Sequence, residues 1–171
     1  MRAGALARSF RSALFVGVTS PPFLEAGLHD PFSVLALHEW EDRAAPRVCA
    51  AVGVAIENAV EGCVGETWAA LLAAWQAESA GDPEQQSTLR ALAEEEARNA
   101  QQAWRVATWL DGMLDDRDRA RVREARDEAV LELWRETTEG VAYAEGDALL
   151  GLPSAAQARA LLRELRTSLW T

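Results

Sequence analysis

The chain has 171 residues, a length that suits one domain with its own hydrophobic core. Hydrophobic residues make up 49% of it and charged residues 26%, the proportions of an ordinary soluble protein without a membrane-spanning run. The formal net charge of −10 argues against nucleic acid as a partner, because no basic stripe is present to neutralise phosphate.

The first twenty residues have only some of the features of a secretory signal. Arg2, Arg8 and Arg11 resemble its positively charged region. The apolar run from Ala13 to Val18 is short, however, and no small-residue cleavage site follows it. We therefore expect a cytoplasmic protein.

Residues 1–46 are predicted to be mostly irregular. Their apolar residues follow no sustained period, and proline and glycine recur among them. One short helix is predicted from Pro31 to about Arg43, because Pro46 stops it.

A helical domain is predicted for residues 47–171. Its first helix ends at a corner where Gly81 suits the position after a helix, and Asp82 and Pro83 suit the start of the next one. The second helix ends near Leu110, so the two form a long antiparallel hairpin. The predicted inner face of the second helix comprises Leu89, Leu92, Ala93, Glu96, Asn99, Ala100, Ala103, Val106, Ala107 and Leu110.

Two further helices are predicted beyond the hairpin, which makes the fold class all-α. The first follows Asp115 and Asp116, whose carboxylates suit a helix N-terminus, and the second begins near Ser154. The predicted inner face of the first comprises Val122, Ala125, Ala129, Leu133 and Trp134. That of the second comprises Ala158, Leu161, Leu162, Leu165 and Leu169.

The tryptophans and cysteines are predicted to be structural. Seven tryptophans are present, and we expect the five on the predicted helices to pack in the core because each ring buries a large area: Trp68, Trp75, Trp104, Trp109 and Trp134. Trp40 and Trp170 lie outside these helices and are expected to cover an edge or a partner. Cys49 and Cys63 are separated by fourteen residues of predicted helix, about 21 Å, so they cannot form a disulfide with each other. We expect both to be buried free thiols.

Carboxylates face each other across the predicted hairpin. In an antiparallel hairpin, residues at equal distances before and after the corner lie side by side. Counting from Gly81, this places Glu66 beside Glu96, each fifteen residues away, and Cys63 near Asn99. Antiparallel helices pack about 8–10 Å apart, so these side chains can meet. A buried carboxylate without a partner is neutralised or binds a cation. Glu61 lies about one turn further on, and this seam of acids indicates the scaffold of a metal site.

The same residues also have a purely structural interpretation. Glu94 and Glu95 are predicted to be solvated or paired with arginines. Glu96 is predicted to be a structural carboxylate that is hydrogen-bonded to Thr67, Asn99 or an arginine. For Asn99 we favour a hydrogen-bonding role over a ligand role, because its amide is a poor ligand for transition metals.

Two segments of the hairpin resemble a known family. "ENAVEGCVGETWAALLAAWQAESAGDP" followed by "LRALAEEEARNAQQAWRVATWL" is similar to the second half of bacterial ferritin-like domain proteins, whose bundles bind two iron ions through glutamates and Glu-x-x-His pairs. The resemblance covers roughly residues 54–171. It implies that Glu61 or Glu66 is a carboxylate ligand of iron or manganese and that Glu96 is the glutamate of a Glu-x-x-His pair. Asn99 stands at the position of the ligand histidine.

Two departures from the family pattern reduce the metal site that the resemblance implies. Asparagine replaces imidazole at position 99, and the family's first hairpin, with its own ligands, is not found upstream. His29 and His38 are the only histidines of the chain. At most, the sequence contains half of a di-iron site.

The resemblance and its departures leave more than one function open. We favour a degenerate ferritin-like protein that acts as a non-catalytic packing or interaction module. The alternative is a homodimer in which two hairpins restore a four-helix bundle, and Glu66 and Glu96 of both chains bind iron or manganese for ferroxidase or other redox chemistry. A third interpretation is a truncated gene product with an exposed hairpin face.

Overall fold

The computed structural model describes residues 51–139 and 150–170. Within these ranges the chain forms four helices and no strand, which confirms the all-α fold class. The helices are α1 (51–79), α2 (Pro83–Asp111), α3 (Asp116–Glu139) and α4 (Ala155–Ser168). The predicted segment 1–46 with its short helix, Cys49 and both histidines lie outside the described residues. None of the described helices is long and apolar enough to cross a membrane.

The corner between α1 and α2 forms where the sequence predicts it. The side chain of Asp82 accepts a hydrogen bond from the backbone N–H of Gln85 at 3.1 Å, and Pro83 opens α2. Helix α1 ends because Ala80 takes an extended conformation, with φ −61° and ψ 144°. The side chain of Gln86 then donates to the carbonyl of Ala80 at 2.7 Å. The chain therefore reverses without a left-handed glycine at Gly81.

Helices α1 and α2 pack antiparallel and approach closely where a glycine faces an alanine. A Cβ atom added to Gly62 would lie 2.6 Å from the Cβ of Ala103, far inside contact distance. Close by, the amide of Asn58 donates to the carbonyl of Ala103 at 3.0 Å, and the indole of Trp104 donates to the hydroxyl of Thr67 at 3.1 Å. These contacts fix the register in which the two helices meet.

Helix α1 contains a π-helical segment, Asn58–Glu66, which the sequence does not predict. In a π-helix the backbone hydrogen bonds join residues five apart, whereas five residues of α-helix turn about 140° away from the starting face. Residues five apart are therefore brought closer to a common face. The amide of Asn58 accordingly lies 3.7 Å from the sulfur of Cys63.

The main core lies where α3 and α4 cover the hairpin. On α4 all five residues of the predicted inner face are buried, which confirms that prediction. Ser154 and Gln157 form a capping box at the start of this helix. On α3 the predicted inner face is only half-buried, and the buried residues are instead Val130 and Thr137. The helix packs against both the π-helix and α4, and four residues of the predicted face lie half-buried against the hydrophobic clusters there: Val122, Ala129, Leu133 and Trp134.

The inner face of α2 is narrower than the sequence predicts. Ala100, Ala103 and Leu110 are buried, but Leu92 is 42% exposed and Asn99 is exposed as well. The predicted inward position of Glu96 is also only partly correct, because its side chain lies half-buried at the edge of the interface. Small residues hold the interior of the interface, so the longer polar side chains lie at its margin.

The tryptophans divide into buried and exposed groups. Trp75 is buried, and Trp68, Trp104 and Trp134 pack against the main core, as expected. Trp170, which the sequence predicts to cover an edge or a partner, is instead buried in that core, and Trp40 lies outside the described residues. The expectation is wrong for Trp109, which is 53% exposed near the end of α2. The indole N–H of Trp170 donates to the carbonyl of Cys63 at 3.0 Å, which links the end of the described chain to the π-helix.

A left-handed glycine joins the start of α4 to the end of α1. Gly151 has φ +70°, and a Cβ there would lie 2.5 Å from the backbone nitrogen of Ala80. The side chain of Gln76 also donates to the carbonyl of Leu150 at 3.2 Å. Only glycine combines this backbone conformation with such a close approach.

We expect Gly62→Ala to lower the free energy of unfolding by about 1–2 kcal/mol, because the cost of overpacking exceeds the gain in helix propensity. Gly53→Ala is the matched control, since an added Cβ there meets nothing within 4 Å. That change should raise stability by about 0.5–1 kcal/mol. Urea denaturation measures both. A loss for Gly62→Ala that Ala103→Gly does not reduce would contradict the close contact.

Candidate carboxylate site on the hairpin

The structure brings together three of the four predicted site residues. Glu66 is the last residue of the π-helix, and its carboxyl group is hydrogen-bonded to that of Glu96 on α2. The amide of Asn99, one turn after Glu96, donates a long hydrogen bond of 3.5 Å to the Oε2 atom of Glu96. Asn99 also hydrogen-bonds the carboxyl group of Glu66. The two acids and the amide therefore form one cluster at the margin of the α1–α2 interface.

The contact between the two carboxyl groups raises the pKa of Glu66 above its ordinary value of 4.5. The main cause is the hydrogen bond to Glu96, followed by partial burial and by repulsion from the charge of Glu96. The hydrogen bond from Asn99 acts in the opposite direction. Two carboxyl groups make a hydrogen bond only when one is protonated, so the pair holds its proton to higher pH than an isolated glutamate does.

Glu61, the fourth predicted residue, acts on this pair through its charge alone. It lies five residues before Glu66 within the π-helix, so the two side chains are brought toward one face. Its negative charge raises the pKa of Glu66 further. Glu61 itself is exposed, and its repulsion reinforces protonation of the pair rather than adding a contact to it.

The cluster does not fit the metal group that the family resemblance implies. In residues 51–139 and 150–170, no three or more His, Cys, Asp or Glu side chains are arranged to hold a metal ion. Within this cluster the available donors are two carboxyl groups and one amide, with no imidazole. The ligand role of Glu61, Glu66, Glu96 and Asn99 therefore stays a prediction, and within one chain only Glu66, Glu96 and Asn99 are in contact.

The structural interpretation of the neighbouring residues is correct in most details. Glu94 and Glu95 are exposed, as predicted. Asn99 is the hydrogen-bond partner of Glu96, whereas the hydroxyl of Thr67 accepts from the indole of Trp104.

Cys63 belongs to the π-helical segment, and its side chain is a buried free thiol, as expected. Its hydrogen-bond partner is Asn58, not the predicted neighbour Asn99. Burial raises the pKa of the Cys63 thiol to about 12, and the positive charge of Arg126 only partly opposes this. The thiol is therefore uncharged at neutral pH and chemically quiet.

Asn58 is the residue that sequence reasoning missed. Its amide contacts both the carbonyl of Ala103 and the sulfur of Cys63, so it connects the π-helix to α2. The available signal was a polar amide within an apolar helical run, followed by Gly62 and Gly65, both of which weaken an α-helix. None of these features specifies a π-helix.

Comparisons of this chain with protein-family models, with curated proteins and with solved structures find no match. The functional inferences below therefore depend on the chemistry of the side chains and on the resemblance of the two hairpin segments.

We expect Glu66→Gln to flatten the pH dependence of stability. The raised pKa of Glu66 gives a stabilising contribution that is fully present below pH 4.5 and is lost as pH rises through the folded-state pKa. A glutamine amide donates to Glu96 at every pH, so the variant should lose less stability between pH 4.5 and neutral pH. Urea denaturation across this range measures the difference. Glu95→Gln is the matched exposed control, and equal slopes in the two variants would refute the shared proton.

We expect Cys63 to react with alkylating reagents only when the protein unfolds. The Cys49→Ser background isolates this thiol, and its high pKa and burial should protect it in native protein at pH 8. The measurement compares the rate of iodoacetamide labelling, followed by mass spectrometry, in native protein and in urea. Rapid labelling under native conditions would show that the π-helix opens or that the thiol is accessible.

Proposed function

We propose that this chain is a degenerate ferritin-like helical protein that acts as a non-catalytic interaction module. The observation that carries the proposal is the contact of Glu66 with Glu96 and Asn99, which raises the pKa of Glu66 and so favours its protonated form. In a working metal site the same oxygens would be deprotonated and would bind the cation.

The chemistry of the pair favours a proton over a metal ion. A cation must displace the proton before it can bind both carboxylates, and the raised pKa of Glu66 makes this step less favourable. Asn99 supplies a neutral amide where the ferritin-like pattern has imidazole, and this lowers the affinity for iron or manganese further. A single chain therefore has two carboxylates in contact but little capacity for redox chemistry.

Exposed apolar side chains at the open end of the hairpin support an interaction role. Trp109 is 53% exposed and Met113 is 45% exposed, and they lie four residues apart where α2 ends. Val54, near the start of the described part of α1, is 50% exposed. Large exposed apolar groups of this kind are typical of surfaces that bind another protein.

A homodimeric metal protein is the second candidate. It is favoured by the position of Glu66 and Glu96 at the margin of the interface, where both remain accessible to solvent. A two-fold axis beside this margin would bring together four carboxylates from two chains, the number found in carboxylate-bridged bundles. Binding of iron or manganese would then require the dimer.

We expect Mn(II) and Fe(II), the latter under anaerobic conditions, to leave the melting temperature of the purified protein unchanged. A metal at a hundred times its Kd would add about 2.7 kcal/mol of stability and raise the melting temperature by several degrees. Thermal unfolding, elemental analysis and light scattering together measure this. Asn99→His is the informative comparison, because it restores the Glu-x-x-His spacing.

Metal binding by a dimer would contradict this expectation. A metal-dependent rise in the melting temperature that is present in the wild type, absent in Glu96→Gln and accompanied by a dimeric mass would establish the second candidate. Stoichiometric metal in the protein as purified would do the same.

A further inference from the structure

A cleft of about 430 Å³ lies between α3 and α4, away from the carboxylate pair. Its polar lining consists of Arg123, Arg126 and Asp127 from α3 and Arg166 from α4. Its apolar lining includes Val130, Leu131 and Trp170. The volume falls within the range of small-molecule binding sites, about 300–1,000 Å³.

The lining is positively charged although the chain as a whole is strongly acidic. Three guanidinium groups and one carboxylate face the cleft, whereas the formal net charge of the chain is −10. Among the ion pairs of residues 51–139 and 150–170, none uses Arg123 or Arg166. The planar guanidinium group binds carboxylate and phosphate oxygens through two parallel hydrogen bonds. The charged end of the cleft therefore has the chemistry of an anion site.

Apolar side chains line much of the cleft and of a neighbouring cavity. A smaller adjoining cavity of about 110 Å³ shares Val130, Leu131 and Arg166 with the first, and its remaining lining is Trp134 and Leu162. Leu131 lines both cavities and is 51% exposed. An apolar group in the smaller cavity would cover Leu131 while a charged group remained beside the arginines.

We propose that the cleft between α3 and α4 binds a small amphipathic carboxylate. Its carboxylate group contacts Arg123 and Arg166, and its apolar part lies against Leu131 and Trp134. The site is separate from the Glu66–Glu96 pair and goes beyond the interaction role proposed above. The combination of charge and apolar surface also makes a prediction about selectivity, because an anion without a tail or a tail without a charge satisfies only half of the site.

Calorimetric titration of the full chain with octanoate, octanol and inorganic phosphate tests this proposal. We expect saturable binding of octanoate, with a Kd of about 1 mM or lower, and binding at least about tenfold weaker for the other two probes. Octanol has the tail without the charge, and phosphate has the charge without the tail. Absence of saturable octanoate binding, or equal affinity for octanol, overturns the proposal.

Matched variants locate the bound anion. Arg166→Gln should weaken octanoate binding about tenfold through loss of a charge-assisted contact. Arg163→Gln removes the same charge from an exposed position one turn earlier on α4, outside the cleft lining, and should change the Kd by less than about twofold. Equal weakening in the two variants would show a general effect of charge and would overturn the site.

A variant of the apolar surface supplies an independent test. Leu131→Ser changes a half-exposed side chain, so the helices should remain folded, which circular dichroism checks. The change should weaken octanoate binding several-fold and leave any weak phosphate binding unchanged. Unaltered octanoate binding in this variant would contradict the assignment of the tail.

Discussion

The close approach of α1 to α2 at Gly62 and Ala103 is the contact on which the rest of the structure depends. It leaves no room for a side chain at position 62, and it places the amide of Asn58 on the backbone of α2. With that register set, Glu66 meets Glu96, about one turn beyond Gly62 on α1 and about two turns before Ala103 on α2. Small residues at this interface thus determine which polar groups share its edge, as they do wherever helices approach closely.

The sequence was sufficient for the helices whose signals are local. Asp82, Pro83 and Ser154 specify helix starts through hydrogen bonds or ring geometry within a few residues. The apolar face of α4 packs against a single core, so its buried residues follow from the helical period. The π-helix and the orientation of α3 depend on contacts between elements, which no local pattern records. For the site, counting residues from the corner of the hairpin predicted the contact between Glu66 and Glu96. It did not predict that this contact is half-exposed, or that Asn58 links the two helices.

Like charges are gathered in two regions of the molecule, the Glu66–Glu96 pair and the arginine-lined cleft between α3 and α4. At the carboxylate pair the neighbouring groups raise the pKa of Glu66, so the pair can lose charge by holding a proton to higher pH than an isolated glutamate. Arginine has no such option, since its guanidinium group stays charged at any physiological pH. In the cleft the carboxylate of Asp127 offsets part of the positive charge, and an anionic ligand would offset more of it. A change of pH can therefore change the charge of the acidic pair, but not that of the arginines in the cleft.

The hydrogen bond from Trp170 to the carbonyl of Cys63 joins residues that are 107 positions apart. Contacts this distant in sequence form late, because the loop between them must first be closed, whereas the α1–α2 hairpin needs only a short turn. We therefore expect the hairpin to assemble first during folding, with α4 and Trp170 docking afterwards. Until then the carbonyl of Cys63 lacks its indole donor. The hydrogen bonding of the π-helix is therefore complete only after Trp170 has docked.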